Sequence, residues 1–155
     1  MIRRKLSTLM RMDRPHRALI VEALVCLGIA RLSLSLLPFR HVAKRLGAIV
    51  PRSDAVDCAG PASHSSVETE IAQDIGWAVR RMAAHAPFKA LCLQQALAAK
   101  MMLRRRSIQS ALHFGVSRDN LPGASLEAHA WLDVADAQVT GYPVPSRFIE
   151  IACFI

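Results

Sequence analysis

The sequence has little of what marks several large classes of protein. Aromatic residues make up 5% of its 155 residues, and they do not form the aromatic pattern of RNA-binding sheets. None of the four cysteines forms a Cys-x-x-Cys pair, and their spacing fits no zinc template. With 52% hydrophobic residues the chain builds a core without a disulfide framework. We therefore expect free thiols in a reducing compartment, and no metal or cofactor.

Acidic residues are scarce in the first third of the chain. Residues 1–50 hold ten Lys and Arg against Asp13 and Glu22, whereas residues 51–155 hold ten residues of each sign. The formal net charge of +8 therefore belongs to the first third. This distribution argues against a nucleic-acid-binding protein. It leaves open a peripheral contact of the basic N-terminus with a membrane surface.

Long uninterrupted apolar runs are also absent. The most apolar stretch, residues 18–39, is interrupted by Glu22 and Arg31, and a spanning helix needs roughly 20 predominantly apolar residues. The stretch begins too far from the basic start for a signal peptide, and no small-residue cleavage site follows it. We therefore predict neither a membrane span nor a signal peptide, and we expect the protein to be cytoplasmic.

The period of the apolar pattern changes along the chain. Apolar residues recur at three- and four-residue steps in the first part and alternate singly in the last part. Predicted helices cover residues 15–37, 42–46, a segment capped by Ser65 and Glu68, and 90–105; predicted strands cover 110–116, 128–134, 138–142 and 148–154. Helices followed by hairpin-connected strands predict an α+β fold, a helical N-terminal part followed by a small antiparallel sheet.

Proline, glycine, serine and aspartate concentrate over residues 50–66, which predicts a linker. The chain then divides into a basic N-terminal helical region, 1–49, this linker, and a core, 67–155. We expect the apolar face of the first long helix to pack on the core and its arginines to lie outside.

Cys92 and His129 are the candidate catalytic residues. Cys92 is predicted at the start of a helix, where the partial positive charge of the helix end favours the thiolate. His129 follows on a predicted strand. A thiol at a helix N-terminus and a histidine on a facing strand are typical of cysteine-dependent acyl transfer. From spacing alone the alternative is a buried core thiol. His85 and His113 are interpreted as structural.

Four short motifs surround this pair: a Cys-Leu helix start, an arginine-rich helix end, a Gly-Val strand and an Ala-His-Ala-Trp strand. They stand at Cys92-Leu93, Leu103-Arg104-Arg105-Arg106, Gly115-Val116 and Ala128-His129-Ala130-Trp131. Together they resemble the leader peptidases of lasso-peptide biosynthesis, which are transglutaminase-like cysteine proteases. The resemblance extends over roughly residues 10–154.

The resemblance implies a transglutaminase- or papain-like core that removes the leader from a ribosomally synthesised lasso-peptide precursor, a step in antibiotic biosynthesis. Cys92 would be the nucleophile that forms a thioester, and His129 would take its proton and later protonate the leaving amine. The N-terminal region is too short for a leader-recognition domain, so recognition would fall to a separate protein, and an ATP-dependent cyclase would close the ring. The alternative is a non-catalytic module of the same fold that binds the leader peptide or the cyclase.

The third catalytic residue is not determined by the sequence. The family's acid lies about twelve positions after the histidine, where residues 139–142 contain no carboxylate. Asp133 shares a strand face with His129, but four residues along a strand span about 13 Å, too far for a direct hydrogen bond. We expect the residue opposite His129 near Tyr142. The third role therefore stays open among Asp133, Tyr142, Thr140, a backbone carbonyl, a loop carboxylate and no third residue at all.

Overall fold

The computed structural model describes residues 14–47, 49–51, 65–117 and 126–155. Within those ranges the chain forms four helices and five strands. They are α1 (Arg14–Leu36), α2 (Phe39–Leu46), β1 (Ile49–Pro51), α3 (Ser66–Ala83), α4 (Cys92–Arg104), β2 (Ala111–Ser117), β3 (Ala128–Val134), β4 (Ala137–Thr140) and β5 (Phe148–Phe154).

The helix ends follow local signals in the sequence. Pro38 separates α1 from α2, as predicted, although α2 begins at Phe39 rather than at residue 42. The predicted capping box at the start of α3 is confirmed: Glu68 N donates to Ser65 Oγ at 3.2 Å, and Ser65 N donates to Glu68 Oε2 at 2.9 Å. Two of the unpaired amide groups of the first turn are thereby satisfied.

The five strands form one antiparallel sheet in the order β1-β5-β2-β3-β4. The predicted α+β fold is confirmed, and β3 and β5 have their predicted bounds. β4 ends at Thr140, short of the predicted Tyr142, because Gly141 adopts φ +84° and turns the chain out of the strand.

The predicted linker over residues 50–66 is too long at both ends. Val50 pairs with Cys153 and Pro51 with Ala152, so these residues belong to the sheet. Ser66 is the first residue of α3. The remainder of the linker, residues 52–64, lies outside the described residues. So do residues 1–13 of the basic region and most of the predicted polar loop after β2.

Helix α1 shares one core with the rest of the chain. It packs against α3 and α4, and α4 in turn packs against β3 and β4. The expectation that its apolar face packs on the core is confirmed by five buried residues: Ile20, Ala23, Cys26, Leu27 and Ala30. Among the described helices, α1 alone is long and apolar enough to cross a membrane by length and composition.

Within the described ranges, the helices cover one face of the sheet. Leu112, Ala130, Leu132, Val134 and Phe154 belong to the hydrophobic core beneath the helices. The alternate residues of the same strands point to the opposite face, because successive side chains of a strand alternate sides. This outer face carries the polar and aromatic residues from which the candidate site is built.

Candidate active site

Cys92 is the first residue of α4, and its side chain is half-buried at the edge of the core. The helix start is fixed by two side-chain hydrogen bonds. Leu91 N donates to Gln94 Oε1 at 3.0 Å, and Gln95 Nε2 donates to Ala90 O at 2.8 Å. The thiol therefore lies at the positive end of a well-capped helix, as the sequence predicts, with backbone amides of the first turn beside it.

His129 lies on β3, and its imidazole is held on the outer face of the sheet. Its Nε2 lies 2.7 Å from the carbonyl oxygen of Gly141. The ring also lies beside Trp131, with ring centroids 6.0 Å apart, and beside Phe148, at 5.1 Å. Since a carbonyl oxygen only accepts, Nε2 carries the proton in this contact, and Nδ1 keeps the lone pair of a base.

Gly141 stands twelve residues after His129, the separation at which the resemblance places the family's acid. No side chain fits at this position. Its φ of +84° disfavours any other residue, and a Cβ would lie 2.7 Å from Trp131 Cα and closer still to Ala130 O. Of the alternatives that the sequence left open for the third role, the backbone carbonyl contacts the imidazole.

Asp133 and Tyr142 contact each other instead of His129. The Tyr142 hydroxyl donates to Asp133 Oδ2 at 2.6 Å, and His113 Nε2 lies 3.4 Å from the same oxygen. Burial raises the pKa of the Asp133 carboxyl. The β3–β4 pairing shifts register after Leu132 and β4 ends at Thr140, so Tyr142 lies beyond the paired residues, and its hydroxyl contacts Asp133. The hydroxyl of the buried Thr140 has no hydrogen-bond partner among the described residues.

The structure brings Cys92 and His129 onto neighbouring elements. Helix α4 packs against β3, which carries His129, and against β4, which leads into Gly141. However, His129 leaves β3 on the face opposite Ala130 and Leu132, the residues that meet the helices. Within the described residues no hydrogen bond joins the thiol to the imidazole, so their pairing stays a prediction.

The strand that leads to Gly141 is fixed from the helical side. Gly76 of α3 packs so closely on β4 that a Cβ there would overlap Val139 O. Arg80, one turn further along α3, donates a hydrogen bond to the same carbonyl oxygen. Gly76 and Arg80 together therefore fix the position of β4 relative to α3. They thereby also position the Gly141 carbonyl, which follows β4 and contacts His129.

Sequence reasoning missed a group of His113, Glu150 and Cys153 on the outer face. His113 Nδ1 lies 2.7 Å from Glu150 Oε1, and the three ligand-type atoms of the group all lie within 4.8 Å of one another. His113 and Cys153 are partners in the β2–β5 register, and a register shift after Phe114 brings Glu150 beside them. No local sequence signal identifies the group, since only strand pairing assembles it.

This group offers the nitrogen, oxygen and sulfur atoms that a transition metal accepts. Both ring nitrogens of His113 already face carboxylates, however, Glu150 on one side and Asp133 on the other. Cys153 is 1% exposed, so its thiol is closed to a substrate. The arrangement is a hydrogen-bonded network of His113 and two carboxylates beside a buried thiol, and the structural role expected for His113 stays a prediction.

Comparison with known proteins places this site in context. Residues 33–152 match the sequence model of a family described as the transglutaminase-like superfamily. The matched range includes Cys92, His129 and Gly141 and extends from the end of α1 into β5. No curated protein and no solved structure matches the chain significantly.

Proposed function

The chain belongs to the transglutaminase-like superfamily, and from that premise we propose that it is a cysteine peptidase that cleaves the leader from a lasso-peptide precursor. The superfamily supports a cysteine-based acyl-transfer site. The substrate class is supported by the Cys92-Leu93 and Ala128-His129-Ala130-Trp131 motifs, which resemble those of the lasso leader peptidases. Cys92 is the nucleophile and His129 is the base.

One observation carries this proposal: the contact between His129 Nε2 and the Gly141 carbonyl oxygen at 2.7 Å. A third catalytic group keeps the histidine in one tautomer and one orientation. A carbonyl oxygen does the same without a charge, since it accepts the Nε2 proton and leaves Nδ1 as the proton acceptor. A thiol needs less assistance than a serine hydroxyl, because a fraction is ionised near neutral pH.

The course of α4 supports Cys92 as the thiol that meets this histidine. Lys100 Nζ donates to Ser110 O at 2.8 Å and to Phe154 O at 3.1 Å, at the end of the sheet where β2 begins. β3 is antiparallel to β2, so β3 ends there and begins at the other end of the sheet, with His129. Cys92 lies eight residues before Lys100, about 12 Å back along the helix. We infer that the start of α4 is directed toward the end of the sheet that carries His129.

The solvent exposure of the cysteine thiols also favours Cys92 as the nucleophile. Among the described cysteines, Cys26 and Cys153 are buried, whereas Cys92 is half-buried. Burial raises the pKa of the Cys26 thiol, which keeps it protonated and inert. Of these three thiols, Cys92 is the one that a peptide carbonyl can reach.

In the proposed reaction the Cys92 sulfur attacks the carbonyl carbon at the leader–core junction, and His129 accepts the thiol proton. The negative oxygen that forms is stabilised by backbone N–H groups in the first turn of α4. His129 then gives the proton to the leaving amine of the core peptide, which leaves the leader as a thioester on Cys92. Water, deprotonated by His129, hydrolyses the thioester and restores the thiol.

The proposal includes three partners and a location. The precursor peptide is presented by a separate leader-recognition protein, and the released core passes to an ATP-dependent lasso cyclase. These steps take place in the cytoplasm, where thiols stay reduced.

The test is cleavage of a precursor peptide by the purified chain together with its recognition protein, followed by mass spectrometry. Cys92→Ala is expected to abolish cleavage and the thioester intermediate, while Cys153→Ala, the matched control at a buried thiol, retains both. Cleavage by Cys92→Ala at the wild-type rate would mean that the nucleophile is misassigned. A wild-type protein that binds the leader but never cleaves it would support the non-catalytic binding module.

A further inference from the structure

Helix α1 carries a second apolar face, opposite the one that packs in the core. Its six large apolar side chains recur at three- and four-residue steps and remain 40–75% exposed among the described residues. They are Val21, Leu24, Val25, Ile29, Leu32 and Leu36. An exposed apolar stripe of this length on one helix is larger than the scattered apolar residues usual on a protein surface, and such a stripe marks an interaction site.

Basic residues border this apolar stripe. Arg14 lies seven residues before Val21, and Arg17 and Arg31 lie seven residues on either side of Leu24, so all three arginines share the side of the helix that carries the stripe. Each of the three is at least partly exposed. Positive charge therefore borders the stripe near both of its ends.

The helix presents no free negative charge beside the stripe. Glu22 is the only acidic residue of α1. Arg106 donates to its carboxylate at 2.7 Å, and Arg105 lies 3.5 Å away. Arg105, which is 70% exposed, also lines a shallow groove with Arg17 and Val25. The whole face therefore presents apolar surface with a cationic border.

We propose that this face of α1 docks the protein on an anionic membrane surface, with the helix axis parallel to the bilayer. A helix with an apolar face and a cationic border lies in the headgroup region, where lipid phosphates neutralise the border and the acyl boundary covers the apolar side chains. The helix does not span the bilayer, because Ala23 and Leu27 on its other side are fully buried against the rest of the fold.

Charge also argues against a second copy of the chain as the occupant of this face. In a two-fold symmetric dimer the same patch meets itself, so the arginine borders of the two copies would lie against each other. The lipid surface supplies the opposite charge instead. The apolar periodicity of the sequence indicates one apolar face on this helix, whereas the structure has two, and the proposal rests on the second.

The test is cosedimentation of the full chain with vesicles, either phosphatidylcholine alone or phosphatidylcholine with about a third phosphatidylglycerol. At about 0.15 M salt, where the screening length is about 8 Å, we expect binding to the anionic vesicles and at least about tenfold weaker binding to the neutral ones. Val25→Ser together with Leu32→Ser should lower the partition coefficient at least about tenfold, because two side chains no longer enter the lipid.

Matched controls lie on other elements. Val67 on α3 and Ile151 on β5 are 59% and 53% exposed, close to Leu32 at 59% and Val25 at 54%. Val67→Ser with Ile151→Ser is expected to leave vesicle binding unchanged. A Leu32→Trp variant gives a second measurement that does not require loss of binding: its fluorescence should be quenched by brominated lipid.

Three outcomes would overturn the proposal. They are a wild-type chain that does not sediment with anionic vesicles, serine variants that bind as the wild type does, and a concentration-dependent dimer that the Val25→Ser, Leu32→Ser variant abolishes. The last result would assign the face to a second copy. None of these measurements depends on peptide cleavage, so they do not bear on the proposed peptidase activity.

Discussion

The two faces of the sheet are built from alternate residues of the same strands, yet they differ in what holds them together. On the inner face, Leu112, Leu132 and Val134 are completely buried under the helices and belong to the hydrophobic core. On the outer face, His129 and Asp133 are engaged by hydrogen bonds. The inner face therefore stabilises the fold through burial, whereas the outer face holds polar groups in fixed positions, which is what catalysis requires.

The outer face is itself far from fully solvated. Trp131 is 8% exposed and lies between two imidazoles, with its ring centroid 5.4 Å from that of His113 and 6.0 Å from that of His129. The His113 imidazole contacts the carboxylates of Asp133 and Glu150, whereas the His129 imidazole contacts the neutral carbonyl oxygen of Gly141. The two histidines that flank Trp131 thus have different surroundings, and the proposed function places catalysis at His129 and a structural role at His113.

The largest expected effect separates these two histidines. His129→Ala should lower the rate of precursor cleavage by about 10²–10⁴, the usual contribution of a general base. His113→Ala should lower the rate per folded molecule by less than about tenfold, but should destabilise the fold by about 1–3 kcal/mol, since Glu150 loses its hydrogen-bond partner and Asp133 keeps only Tyr142. Single-turnover cleavage and urea unfolding of both variants measure the contrast. A collapse of cleavage in His113→Ala alone would reverse the assignment.

The next largest effect is a loss of stability, expected when a residue on the inner face of the sheet is truncated. Leu132→Ala removes a fully buried side chain and should lower the free energy of unfolding by about 2–5 kcal/mol. Cleavage per folded molecule should stay within a few-fold of the wild type, because the outer face is untouched. Thermal unfolding and cleavage below the melting temperature provide the two measurements. A loss of activity without a loss of stability would contradict the division between the faces.

A smaller effect is expected at Asp133. Asp133→Asn should reduce cleavage by no more than about tenfold, or ~1.4 kcal/mol of barrier, because this carboxyl contacts Tyr142 and His113 rather than His129. The control is Asp136→Asn in the β3–β4 turn. A collapse of the rate in Asp133→Asn alone would make Asp133 the third catalytic residue.

The stability of Asp133→Asn relative to the wild type is also expected to depend on pH. Burial raises the pKa of Asp133 above its value in the unfolded chain, so the folded state binds more protons and the wild type loses stability as the pH rises through the folded pKa. The asparagine side chain does not ionise. The stability of Asp133→Asn relative to the wild type should therefore increase from acidic to neutral pH, as urea unfolding at several pH values would show.

The smallest effect is expected at Lys100, a residue of α4. Burial lowers the pKa of Lys100 to about 8, so between pH 8 and its ordinary range the unfolded chain binds the proton that the folded chain has lost. Wild-type stability should rise with pH over that interval relative to Lys100→Met. The control is the same substitution at the exposed Lys89, Lys89→Met. Parallel pH curves for wild type and Lys100→Met would contradict the desolvation of Lys100.

The sequence predicts well those features that depend on alternation of apolar residues or on residues a few positions apart. β3, β5 and the capping box of α3 depend on alternation or on residues three positions apart, and they were found as expected. Cys92 at a helix start belongs to the same group. These signals are local, so the sequence carries them without knowledge of the tertiary fold.

The features that were missed depend on register between distant strands. The network of His113, Glu150 and Cys153 exists only because β2 pairs with β5 and shifts register after Phe114. The partner of Tyr142 likewise follows from a shift between β3 and β4. Alternation along a strand indicates which residues share a face, but not which face the helices cover, so the outer position of His129 required the structure.

Alkylation of the thiols by iodoacetamide tests the central claim, that the Cys92 thiol and the His129 imidazole act as a pair, without any substrate. At neutral pH the account predicts that Cys92 is labelled faster than the buried Cys26 and Cys153, and that His129→Ala slows labelling of Cys92 by at least about tenfold, because no imidazole then accepts the thiol proton. An unchanged rate at Cys92 in His129→Ala would contradict the account.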